Sequence, residues 1–139
     1  MQNLIRTSLA ISLGAVAGAL CRYGLGQWFG QWFGQWLGSG FPYATLFVNV
    51  TGCFLLGGFS QFAQLRAMPL DPQMRLLVTT GFLGSYTTFS SYELDTAHLL
   101  DRSFAAALAY WMGTVLLGLL ALRSGMALAS ATQSNPADR

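Results

Sequence analysis

No charged side chain occurs from Tyr43 to Phe62, and none from Ser103 to Leu122. Each run has about the twenty residues that the hydrocarbon core of a bilayer demands of a helix. Backbone amides in lipid must be satisfied within the segment, so runs of this kind fold as transmembrane helices. Composition points the same way: charged residues make up 9% and hydrophobic residues 53% of 139 residues, against about 25% charged in soluble domains. So small a soluble globule has too little interior for that much apolar surface. The basic residues are all arginine, scattered singly, and the net charge is only +2. No nucleic-acid partner is expected without a basic cluster. The chain reads as an all-α integral membrane protein.

Four spans are expected, at about 4–26, 43–65, 74–97 and 103–124. Within the first, Gly14, Gly18 and Ala15, Ala19 form a small-residue face that lets another helix come close. Arg6 followed by Ala17-Gly18-Ala19 also fits a cleaved leader, and a span is the favoured reading. Residues 27–38 repeat a four-residue unit, Gln27-Trp28-Phe29-Gly30, Gln31-Trp32-Phe33-Gly34, Gln35-Trp36-Leu37-Gly38. Tryptophan rows of this kind suit the headgroup region, so an anchoring segment is expected after the first span. It is either helical, with Trp28, Trp32 and Trp36 in one row, or poorly ordered, because each glycine costs a helix about 1 kcal/mol. Ser39 to Pro42 is a turn signal. Arg66 to Arg75 is expected to be a loop, with Pro69 and Pro72 as helix stops, and 130–139 a disordered tail. Four spans put both termini on one side, and the arginine distribution leans toward cytoplasmic termini. Cys21 and Cys53 fall inside spans, where no disulfide is expected.

The candidate chemistry lies in the third span. From Gly81 to Tyr92 the chain carries five Ser or Thr hydroxyls, two glycines and four aromatic rings. Such a segment opens its backbone toward protein or a water-filled path, and ring edges beside hydroxyls suit a partly dehydrated solute. Arg22 is either a snorkelling arginine or a cation at the mouth of an anion pathway. Asn49, an amide deep in the second span, either bonds a neighbouring helix or lines a pore. Glu93, Asp95 and His98 read as a solvated helix end. Tyr110 and Thr114 sit one turn apart on the fourth span, where Thr114 more often bonds its own backbone. No catalytic triad, metal cluster or phosphate loop is apparent, so no enzyme is expected. A proton-coupled multidrug exporter needs a carboxylate inside the membrane, and the acidic residues read as loop or helix-end groups. Neutral donors suit a small anion that must bind and leave quickly. The exporter, and a structural subunit of a larger complex, remain the alternatives.

Three motifs, Gly18-Ala19-Leu20-Cys21-Arg22-Tyr23, Thr45 to Gly52, and Gly81 to Tyr92, together resemble the Fluc/CrcB fluoride channels over roughly residues 5–125. The resemblance implies a passive, selective fluoride channel in the plasma (inner) membrane. It implies an antiparallel, dual-topology homodimer of four-helix subunits, with the third helix broken at mid-membrane and two pores built from both chains. Carbonyls of Gly84 and Thr87 would hold a central structural Na+. Phe89 would turn a ring edge to fluoride, Asn49 would donate its amide hydrogens, and Ser90 and Ser91 would extend a polar track joined by Tyr110 and Thr114. Arg22 would belong to the vestibule. Tyr92 departs from the family pattern, standing where a second Phe is usual, and the tryptophan repeat is not a family feature.

Overall fold

The computed structural model describes residues 2–37, 40–65 and 70–133. Among the described residues six α-helices carry the fold: α1 Gln2–Leu37, α2 Tyr43–Leu65, α3 Pro72–Leu76, α4 Gly84–Tyr86, α5 Phe89–Leu100 and α6 Phe104–Gln133. A π-helical stretch, Leu77–Leu83, joins α3 to α4. Among the described residues three stretches are long and apolar enough to cross a membrane, Gln2–Trp32, Tyr43–Leu65 and Phe104–Thr132. Much of their surface faces outward, with Leu4, Leu13 and Leu120 all well exposed. That surface is costly in water and ordinary in lipid.

The tryptophan repeat is not a separate segment, because α1 runs through it without a break as one helix of 36 residues. No proline interrupts the run. Each glycine costs about 1 kcal/mol in a helix, less than stranding backbone groups in an apolar medium. Phe29 in the first unit packs on Phe47 of α2 with ring centroids 4.8 Å apart, which fastens the start of the repeat to the bundle. Trp28 and Trp32 remain exposed.

Pro72 likewise opens a helix, where the sequence reading makes it a stop. Its missing N–H is no loss in the first turn, and Asp71 caps that turn by accepting from the Gln73 amide at 3.1 Å. Pro69 lies outside the described residues. At the other end α6 continues to Gln133, so the tail expected from residue 130 begins inside a helix. Ser130 there accepts from Gln61 of α2 at 3.1 Å, and the rest of that tail lies outside the described residues.

Glycines set the two closest helix approaches. A Cβ on Gly14 or Gly18 would collide with carbonyl oxygens of Leu77 or Phe82, so the small face of α1 holds the π-helical stretch backbone to backbone. A Cβ on Gly57 or Gly125 would strike the facing carbonyls of Leu122 and Phe54, which draws α2 and α6 together. A compact core of Tyr92, Leu99, Ala107 and Tyr110, covered by Phe41 and Leu46, fastens α5 to α6.

Candidate functional site

Between α4 and α5 the backbone leaves the helical region for two residues. Thr87 has φ −78° and ψ 160°, and Thr88 has φ −148° and ψ 124°. Both are ordinary extended conformations, so the interruption costs hydrogen bonds more than strain. Asn49 on α2 supplies the replacements. Its Oδ1 accepts from the Thr88 N–H at 2.8 Å, and its Nδ2 donates to the Thr88 carbonyl at 3.0 Å. The structure therefore gives Asn49 the helix-to-helix role, with one of its two amide hydrogens still uncommitted.

The hydroxyl of Thr88 then caps α5 by accepting from the Ser91 N–H at 3.2 Å, an N-cap of the usual kind. It also lies 3.1 Å from Ser91 Oγ and 3.3 Å from Ser90 Oγ. Arg22 reaches across from α1, and its Nε donates to the Ser85 carbonyl at 3.1 Å. Arg22 thus caps an interrupted helix, a role that neither sequence reading contains.

Two carbonyls at the interruption lose their helical donors. The Thr88 N–H, which an unbroken helix would give to Gly84, goes to Asn49. The Ser91 N–H, which would go to Thr87, goes to the Thr88 hydroxyl. Gly84 is exposed, and a Cβ there would meet nothing nearer than the Thr79 carbonyl at 3.7 Å. Oxygen atoms released in this way are suitable ligands for a hard cation, so the two residues that the resemblance implicates fit such an ion.

Two open cavities flank the interruption. One, of about 420 Å³, gathers Asn49, Gly84, Thr87, Phe89, Tyr92 and Thr114 within a largely apolar wall. The other, of about 440 Å³, holds Arg22, Tyr23, Gln27, Thr45 and Ser91. Thr88 lines both. Most of the candidate residues from the sequence therefore stand around this one interruption.

Within the groove, Phe89 is 74% exposed, and its ring centroid lies 5.8 Å from that of Tyr92. The Tyr92 phenol is committed to α6, donating to the Trp111 carbonyl at 2.7 Å. Thr114 donates its hydroxyl to the Tyr110 carbonyl at 2.7 Å, so its one hydrogen is committed to its own helix. Ser90 is exposed and lines neither cavity. Tyr110 lines neither cavity and belongs to the core, where its hydroxyl is buried without a hydrogen-bond partner among the described residues.

Asp95 is not the freely solvated group that the sequence suggests. It is half-buried and accepts from the Thr45 hydroxyl at 2.6 Å. Its position within α5, on the side that meets α2, could not be read without the site of the helix interruption. Thr88, the residue shared by both cavities, was visible in the sequence only as one hydroxyl among five.

Long apolar helices around a hydroxyl-rich interruption define this chain as an all-helical, multi-pass membrane protein. Sequence comparison narrows the class. The family model described as "CrcB-like protein, Camphor Resistance (CrcB)" matches residues 9–126, and the chain belongs to that family. A protein of Trichormus variabilis called "Fluoride-specific ion channel FluC" is 50% identical over 128 residues, covering 91% of this chain and 90% of its own. Proteins of the same name from a Synechococcus strain and from Rhizobium meliloti are 47% and 41% identical. The alignments cover 90% of this chain and 93% of the Synechococcus protein, and 86% of this chain and 93% of the Rhizobium protein.

Proposed function

We propose that this protein is a passive fluoride channel that releases cytoplasmic fluoride across the plasma (inner) membrane. The observation that carries the reading is the groove beside the helix interruption, where Asn49, Phe89, Tyr92 and Thr114 converge in a member of the CrcB-like family. In this reading the stretch from Pro72 to Leu100 is a fourth crossing, interrupted at mid-membrane by Thr87 and Thr88. The groove is open along one side, so a second, antiparallel copy is needed to enclose a path, giving a dual-topology homodimer with two pores.

Fluoride is small and strongly hydrated, so a path must replace its water with well-placed donors. The uncommitted amide hydrogen of Asn49 supplies one in the groove and the Ser91 hydroxyl one in the neighbouring cavity, and the exposed Ser90 hydroxyl joins the track where the second copy closes over it. The edge of Phe89 adds a positive, apolar wall that a fluoride ion can pass without being held. Thr114 completes the wall on α6, and Tyr110, one turn away in the core, supports it from behind. Arg22 raises the local anion concentration at the vestibule. The carbonyls of Gly84 and Thr87, paired with those of the second copy, hold a structural Na+ that contributes fixed positive charge at the centre. Selectivity arises because the bore is too narrow for a larger halide. Acid surroundings bring in HF, which dissociates in the neutral cytoplasm, and the trapped anion leaves through the channel.

Fluoride efflux from liposomes containing only this purified protein tests the reading, with chloride as the parallel ion. Fast electrogenic fluoride release without chloride release is expected, and it would also dismiss a purely structural subunit. A folded protein that releases neither ion would refute the channel. The half-buried Asp95, bonded to Thr45, gives the exporter reading a carboxylate within the bundle. Uptake of a cationic dye driven by a pH gradient would favour that alternative.

A further inference from the structure

Glu93 is an exposed carboxylate on α5, and its described partner is the Trp111 indole, which donates at 3.2 Å. It lies eight residues before the Asp101–Arg102 turn that ends the helix, about 12 Å along the axis. Half of a hydrocarbon core is about 15 Å. With that turn at the membrane surface, the carboxylate sits well inside, where an ionisable group must face protein or a water-filled path rather than lipid.

The face it occupies is the one that carries Phe89. Residues four apart on a helix are neighbours, with Cβ atoms about 6 Å apart, and Phe89 is the most exposed aromatic ring of the groove, at 74%. The outward face of α5 therefore presents a ring and, one turn further on, an acid. Trp111 fixes the acid in place from α6. Its indole is held by Glu93, and its carbonyl receives the Tyr92 phenol at 2.7 Å. Both contacts tie α5 to the same residue, so the carboxylate has a defined position relative to the ring.

We propose that Glu93 is an electrostatic brake on the channel: its negative charge, positioned by Trp111 beside the Phe89 passage, slows fluoride. The proposal rests on the fluoride-channel reading. It assigns Glu93 a through-space role, since the groove walls do not include it. One charge acting across about 10 Å, at an effective dielectric between that of protein and that of water, changes an anion's passage by roughly fivefold.

The test compares wild type, Glu93→Gln, Glu93→Asp and Trp111→Phe by fluoride efflux from liposomes, each first checked for monodisperse elution in detergent. Gln keeps an acceptor for the indole and removes only the charge. Expected are a roughly fivefold faster efflux for Glu93→Gln, a rate near wild type for Glu93→Asp, and no such acceleration for Trp111→Phe, which keeps the charge. A merely structural contact would instead leave Glu93→Gln unchanged and make Trp111→Phe the sensitive variant. The wild-type rate reports on the channel itself, and the ratio of variant to wild type reports on Glu93. A conducting wild type that no charge-removed variant exceeds overturns the brake. A silent wild type with a conducting Glu93→Gln supports it, and silence in both removes the channel reading and the brake together.

Discussion

Replacing Asn49 with Ala removes both arms of the contact that substitutes for the interrupted helix. The Thr88 N–H loses an acceptor at 2.8 Å and the Thr88 carbonyl loses a donor at 3.0 Å. Each net hydrogen bond contributes about 1 kcal/mol, and each buried group left without a partner adds about 1–3 kcal/mol. Interhelical bonds measured in membranes average lower, near 0.6 kcal/mol, because the chain finds other partners. The Thr88 N–H has one at hand in the Gly84 carbonyl, which it reaches if the helix closes over the interruption. The expected loss for Asn49→Ala is therefore about 2–3 kcal/mol rather than the full sum. Asn49→Asp retains the acceptor and loses the donor, so the Thr88 carbonyl then faces an oxygen and the loss should be at least as large. Reversible unfolding in mixed detergent would measure both variants, and hydrogen exchange would report on the amide of Thr88. A stability within about 0.5 kcal/mol of wild type, with unchanged exchange at Thr88, would show that Asn49 does not hold the interruption open.

Phe89 is mostly exposed and contributes little to the core, so Phe89→Ile should abolish fluoride flux while leaving the melting temperature within a few degrees; wild-type flux would refute the ring's role. Tyr92→Phe removes the bond to the Trp111 carbonyl and should cost about 1 kcal/mol in unfolding, with fluoride flux at least equal to wild type. A folded but silent variant would mean that the phenol is required. Gly125→Ala places a methyl against the Phe54 carbonyl, so α2 and α6 must separate. A loss of at least 2 kcal/mol is expected on the scale of overpacked cores, and a neutral effect in chemical unfolding would show that the helices have room to move.

The long uncharged runs were legible because lipid permits so few solutions: α2 spans Tyr43–Leu65, the limits that charge-free length and the Pro42 turn suggest. The residues of the groove were legible for a related reason, since hydroxyls and an amide at membrane depth have to face something polar. Local signals misled where context decides their meaning. Pro72 stops a preceding helix and starts a following one with equal ease, and only the Asp71 cap settles which. Glycines in the tryptophan repeat suggest a loose segment in water, yet in an apolar medium the alternative to a helix is worse. The burial of Asp95 and of Tyr110 is not legible in the sequence. The face that Asp95 occupies depends on the rotation of α5, set by an interruption at Thr87 and Thr88 whose dihedral angles no spacing rule supplies. Tyr110 on α6 is covered by the α5 residues Tyr92 and Leu99 that this rotation brings against it.

At 36 residues, α1 is about 54 Å long, far more than a 30 Å hydrocarbon core can contain. Its surplus is the repeat, and that gives the surplus a particular property. Sliding the helix by one unit moves it about 6 Å along its axis and replaces Trp28 at a given level with Trp32, beside the same Gln and Gly neighbours. Placed at the membrane boundary, the repeat would behave as a vernier. Natural bilayers differ in thickness by only a few Å, less than one graduation, so a thicker or thinner membrane meets a tryptophan at its boundary either way. An anchor with a single tryptophan would fix the protein to one depth, whereas a repeated one would make several depths nearly equivalent.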